Sequence, residues 1–170
     1  MPDPKNLFNL AEVAAVNTIA GDDWLKEGGT GGIRTVHRKL RRSESGEPVY
    51  QAPEDQLPAI GVWCQGTAGE EEESLGESEQ ALRLLFDIVV FGSDPDQVDD
   101  LCKEIGSRLR RLLRIQMNTD TYPEATELDG FASGGELQLD PQIVFATYQN
   151  SLGWWAEAAT SATVTIYSQE

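Results

Sequence analysis

The chain has 170 residues, and its 29 Asp and Glu against 13 Lys and Arg give a formal charge of -16. That length suits one domain with a real core, while the charge repels phosphate at long range and argues against nucleic-acid binding by the free chain. No apolar run approaches the roughly 18 residues a membrane span needs, and the segment MPDPKNLFNLAEV lacks the basic-then-apolar pattern of a leader, so neither insertion nor secretion is expected.

Asp3 as N-cap and Pro4 at the first helical position predict a helix over 4–20 that places Leu7, Leu10, Ala11 and Ala14 on one face and stops at Gly21. The following EGGTGG reads as a hinge or flexible loop, since glycine loses the most conformational freedom on ordering. Neither a preceding strand nor a following Lys-Ser or Lys-Thr is there to make it a phosphate loop. The stretch from Ile33 to Arg42 is either a strand or an arm, and 22–56 as a whole is a candidate arm. Leu57 to Trp63 predicts a first central strand with Pro58 confined to its start. The run from Gly66 to Gln80, with Glu70, Glu71, Glu72 and Glu73 in a block, reads as a solvated acidic loop or as a contact loop ordered on assembly.

Residues 82–91 alternate so that Leu82, Leu84, Phe86, Ile88 and Val90 share one face of a strand, with Leu85, Val89 and Phe91 adding apolar area to the other. Next comes a long helix from about Pro95 to Arg114. Val98, Leu101, Cys102, Ile105, Leu109, Leu112 and Leu113 form its stripe, Asp94 caps it, acids gather at its start and arginines at its end. Leu137 to Tyr148, interrupted by Pro141, predicts a bent or edge strand. Trp154 to Ser168 predicts a last strand, with Ala158, Ala162, Val164 and Ile166 on one face. In it the adjacent Trp154 and Trp155 point to opposite faces, one toward the core and one toward either a covered sheet end or a protein interface. The expected architecture is α+β: a mostly antiparallel sheet of about four strands, with the two helices on one face and extended loops or an arm.

Chemistry is scarce. His37 is the sole histidine and sits among arginines, so no His-based triad, dyad or His-rich metal site is expected within one chain. Cys64 and Cys102 sit in apolar patterns and read as buried thiols. The stretch Asp120 to Asp129 lacks the regular ligand spacing of a calcium loop. No catalytic, cofactor or metal residue is assigned. Ten of the 13 basic residues fall in two groups, Arg34, Arg38, Lys39, Arg41 and Arg42, and Lys103, Arg108, Arg110, Arg111 and Arg114. Basic patches on an acidic background suit registration between protein surfaces. The expected interface residues are Arg34, Arg38, Arg41 and Arg42, the glutamates 70–73, and Trp154 or Trp155.

The organisation as a whole resembles the tail-terminator, or tail-completion, proteins of long-tailed bacteriophages. The resemblance rests on the N-terminal helix at 4–20, the strand LPAIGV, the long acidic loop, the strand LLFDIVVFGSD running into the helix PDQVDDLCKEIGSRLRRLL, and the closing ATVTIY. It implies a single domain over 1–170 that forms a hexameric ring with copies of itself. It further implies that the ring caps the tail tube protein and meets the head-side connector or neck protein; in such a ring the acidic excess is expected to let DNA slide through the lumen without specific binding. It implies no catalytic residue and no cofactor, and a place in the virion after assembly in the bacterial cytoplasm. The basic stretch from Arg34 to Arg42 and the 66–80 loop exceed the family's minimum, which keeps another neck or head-completion adaptor as an alternative. A cytoplasmic enzyme or regulator is the third class.

Overall fold

The computed structural model describes residues 7–38, 57–67, 72–74, 77–116 and 137–169. The elements in order are α1 (Leu7–Ala20), β1 (Thr35–Arg38), β2 (Ala59–Thr67), β3 (Glu72–Ser74), β4 (Glu77–Gly92), α2 (Pro95–Gln116), β5 (Leu137–Asn150) and β6 (Gly153–Gln169). The fold is α+β, as expected, but the sheet is larger. Five strands follow the path β1-β2-β4-β6-β5, with β3 paired to β4 beyond it. β1 joins β2 in parallel and every other pairing is antiparallel.

Both helices lie on one face, α1 against β2 and β1 and α2 against β4, β5 and β6. The reason is in the alternation. Leu82, Leu84, Phe86, Ile88 and Val90 of β4 are fully or almost fully buried, as are Ile60 and Val62 of β2 and Ala156, Ala158, Ala162 and Val164 of β6. Against them α2 sets Val98, Cys102, Ile105, Leu109 and Leu113, and α1 sets Ala11, Ala14, Ala15 and Ile19. Each fully buried Leu or Ile contributes about 1.5–3 kcal/mol. Small residues in α1 let it sit close to the sheet. In α2 the close approach is at Gly106, where an added Cβ would stand 2.9 Å from Ile143 and 3.2 Å from Phe145.

α2 is capped as its sequence predicts: the Asp94 carboxylate accepts the backbone N–H of Asp96 at 2.9 Å and of Gln97 at 3.3 Å. The bend at Pro141 is also present, as a register shift between Leu139 and Ile143 that lies on an edge strand.

Three expectations are corrected. The glycine-rich stretch is a folded loop: Gly28 donates to Ile33, Thr30 to Asp23 and Gly31 to Trp24, while the Asp22 carboxylate accepts the N–H groups of Trp24 and Leu25. Backbone hydrogen bonds hold the glycines, and Gly31 leaves room for the Trp24 ring, 2.5 Å from where its Cβ would be. The proposed arm does not begin at residue 22, because β1 is built into the sheet through Thr35↔Ala59 to Arg38↔Val62. The acidic run is partly strand: Glu72, Glu73 and Ser74 pair with Glu79, Ser78 and Glu77. Backbone pairing of this kind needs no apolar face. The 39–56 part of the arm, the N-cap Asp3 and the stretch Asp120 to Asp129 lie outside the described residues.

Candidate functional site

The face of the sheet opposite the helices, hereafter the reverse face, is where the residues that the core does not absorb collect. Register places Phe91, Trp155 and Tyr148 in one row across β4, β6 and β5, and Val89, Glu157 and Ala146 in the next. Asp87, Ala159 and Val144 make a third row, which continues through Gly61 of β2 to His37 of β1. Strand alternation alone produces this arrangement, since each of these residues is out of phase with the buried set.

At the end nearest the start of α2 the row is aromatic. The rings of Phe91 and Trp155 are tilted by 57° with centroids 4.8 Å apart, and Tyr148 stacks parallel to Trp155 at 6.4 Å. Trp154 turns the other way and packs against the main core, as alternation requires. Leu57, Ala59 and Val89 form a second, smaller buried cluster with Phe91 and Trp155 packed on it. The chain thus covers part of the reverse face with its own side chains. The Trp155 ring remains half-buried, and its shielded Nε1–H meets no acceptor among the described residues. An unmet buried donor costs about 1–3 kcal/mol.

Beside the aromatics two carboxylates are buried on neighbouring strands, Asp87 with 2% and Glu157 with 3% exposure. Tyr148 donates its hydroxyl to Glu157 at 3.0 Å. His37 stands across the gap left by Gly61, its Nδ1 donating to the Arg38 carbonyl at 3.0 Å. Burial holds the imidazole below its usual pKa of 6.5, against the opposing pull of the Arg38 carbonyl and of Glu27.

The opposite end of the face is polar. A shallow cavity of about 560 Å³ there is lined by Thr67, Arg83, Asp140, Ser161 and Thr163, among others. Ser161 donates to Asp140 at 3.1 Å, and Arg83 stands 3.9 Å from the same carboxylate. The Gln142 N–H, then the Ser161 hydroxyl, then Arg83 and Arg110 keep Asp140 below the ordinary carboxylate range.

Four of the basic side chains, Arg38, Lys103, Arg108 and Arg110, are occupied within the chain. Arg38 reaches α1, donating to Glu12 at 3.1 Å and to Asn9 at 3.0 Å, and the other oxygen of Glu12 accepts the Cys64 N–H at 3.1 Å. Arg110 is buried and donates to the Asp140 carbonyl and the Thr160 hydroxyl, both at 2.8 Å. Arg108 lies 4.2 Å over the Trp24 ring and pairs with Glu104, and Lys103 pairs with Asp99 at 2.7 Å. Arg34 is exposed at the start of β1. Of the remaining expected interface residues, Arg41, Arg42, Glu70 and Glu71 lie outside the described residues, and Glu72 and Glu73 belong to β3.

Sequence reasoning missed Glu12, whose signal was a lone acid inside the alanine stripe of α1. It also missed Asp87 and Glu157, single acids in otherwise uncharged stretches of β4 and β6. Cys64 and Cys102 are buried free thiols, as expected, and burial pushes the Cys64 thiol up. Among the described residues no group of three or more His, Cys, Asp or Glu side chains is placed to hold a metal, and no helix is long and apolar enough to cross a membrane. No protein-family model and no curated protein matches the chain.

Proposed function

We propose that the chain is a virion assembly subunit, a tail terminator whose copies close into a ring that caps the tail tube and joins it to the head-side neck. The observation that carries this reading is the half-buried aromatic row of Phe91, Trp155 and Tyr148 on the face that neither helix covers. Large aromatic rings at the centre of a partly desolvated patch are the residues on which protein interfaces concentrate their energy. A closed ring buries such a patch in every copy without leaving a contact that grows into fibres.

The charge fits the same role. With a net -16 spread through each copy, a ring presents an acidic wall along which DNA slides without adhering. The partners are then copies of the chain, the tube protein and the head-side connector, and the working location is the virion. The ring acts by shape and surface, with no catalytic residue.

Trp155→Ala tests the assignment. Removing the ring leaves the main core untouched, so the variant folds, and ring formation weakens by about 2 kcal/mol or more, the range for an interface hot spot. Light scattering gives the mass, and electron microscopy of tail tubes grown with each protein gives the capped length. An alanine variant that assembles and caps tubes as the parent does removes the reverse face from the account.

A further inference from the structure

The sheet holds two pairs of parallel strands that are consecutive across a connection. β4 and β5 are parallel, since each is antiparallel to β6, and α2 joins them across the helix face. β1 and β2 are parallel neighbours, and residues 39–56 lead from one toward the other. Along the order β1-β2-β4-β6-β5 both connections step the same way, but β1 and β2 run opposite to β4 and β5. Two crossovers of one hand that step the same way between oppositely directed strands must lie on opposite faces of the sheet. Such crossovers are right-handed in about 98% of cases. With α2 on the helix face, the shared hand sends 39–56 over the reverse face.

Burial on that face agrees. The connection leaves the sheet after Arg38, level with Phe86 of β4, and returns at Leu57, two residues before the Ala59 that is level with Val89. Along this path Ala59, Gly61, Asp87, Val89 and Glu157 are buried, although they point away from both helices. Outside it, Arg83 toward the polar end and Val144 and Ala146 on β5 are exposed. Asp87 is flanked in its row only by Gly61 and Ala159, which are too small to bury a carboxylate to 2% exposure.

Charge and length fit as well. Lys39, Arg41 and Arg42 open the segment, and its acids, Glu44, Glu47, Glu54 and Asp55, come later. The basic start therefore leaves β1 one row from Asp87, whose diagonal neighbour on β6 is Glu157. Carboxylates taken out of water need hydrogen-bond donors or countercharges, and Glu157 already receives the Tyr148 hydroxyl. The return to Leu57 spans about five strand residues, roughly 17 Å, far less than the segment can cover, so it has the slack to pass over β2 and reach β4 and β6.

We propose that residues 39–56 seat on the reverse face of their own chain, over β2, β4 and the near side of β6, with Arg41 and Arg42 set against Asp87 and Glu157. Those two arginines then serve the chain's own fold, and the reverse face left open to another copy narrows to Trp155, Tyr148 and the outer part of β5. The inference stands on topology and burial and does not rest on the ring.

Site-resolved thiol labelling of the full chain tests it, with circular dichroism confirming that each variant is folded. Iodoacetamide reacts with Ala159→Cys beneath the proposed cover and with the native Cys64 in the core on the helix face, and peptide mass spectrometry reads each rate. Replacing Arg41 and Arg42 by alanine is expected to speed labelling at position 159 about tenfold and to leave Cys64 as slow as before. A segment running over the helix face would uncover Cys64 instead. A rise at Cys64 that equals or exceeds the rise at 159, or no rise at either, overturns the proposal. The same comparison in the Trp155→Ala chain, where contacts between copies are weakened, is expected to give the same acceleration; one that vanishes there assigns the cover to a neighbouring copy and overturns the proposal too. Whether the charges meet is read from a double-mutant cycle on urea unfolding. Arg41→Ala with Arg42→Ala is expected to raise the unfolding constant about tenfold in the parent and less than about threefold in a chain carrying Asp87→Asn and Glu157→Gln. Equal effects in the two backgrounds overturn the pairing.

Discussion

Glu12 is the residue on which the joint between α1 and the sheet turns. With only 2% of its surface exposed, it is held by Arg38 from β1 and by the Cys64 N–H from β2, where the strand bulges before Gly66. Removing the arginine strands a buried carboxylate, so Arg38→Ala is expected to cost about 2 kcal/mol, less than for a fully buried pair because Arg38 is partly exposed. A lowered urea midpoint at unchanged slope reads this directly, and adding Glu12→Gln to the arginine variant recovers part of the loss. His37 supplies a second test. Because burial lowers its pKa in the folded chain below 6.5, the unfolded chain binds the proton more readily. The stability it confers is therefore complete above 6.5 and is lost as pH falls through the folded pKa. The urea midpoint should drop as pH falls below 6.5, and His37→Gln should flatten that part of the curve. At this scale legibility was uneven. The opposite fates of Trp154 and Trp155 follow from strand alternation, which is local. The bond from Arg38 to Glu12 joins positions 26 apart and depends on how a helix lies across two strands, which no local pattern encodes.

At the scale of elements, α2 is the part most completely specified by its own residues. Cap, first-turn acid, apolar stripe and terminal arginines agree, and each is visible without reference to the rest of the chain. Asp94→Ala should cost about 1 kcal/mol, measured as a loss of thermal stability, since two backbone N–H groups lose their acceptor. Gly106→Leu should cost more, about 1–3 kcal/mol, because it forces α2 away from Ile143 and Phe145. The loop between α1 and β1 shows what composition conceals. Its glycines were read by their entropy, whereas its order comes from Asp22 capping the turn and from Trp24 seated between Gly31 and Arg108. The acidic stretch before β4 departs from its sequence expectation for the opposite reason. A strand that satisfies its backbone through a neighbour carries no hydrophobic signature, so a pattern search for apolar alternation passes over β3.

For the whole molecule, the order of elements places both helices on one side and leaves the other side with two characters: aromatic beside the start of α2, polar around Arg83 and Asp140. On the proposed reading, sorting of this kind gives the subunit one sheet face with which to meet a neighbour. On that reading the acidic excess keeps free copies apart at a distance, while apolar and aromatic contacts decide where they meet. The most direct test of the central claim is the mass of the purified chain by light scattering, taken alone and in the presence of tail tubes whose lengths are scored by microscopy. The account predicts a closed multimer that stops the tubes at one length, and a loss of both on Trp155→Ala. A chain that stays a single copy in either setting, while tubes grow unchecked, contradicts it.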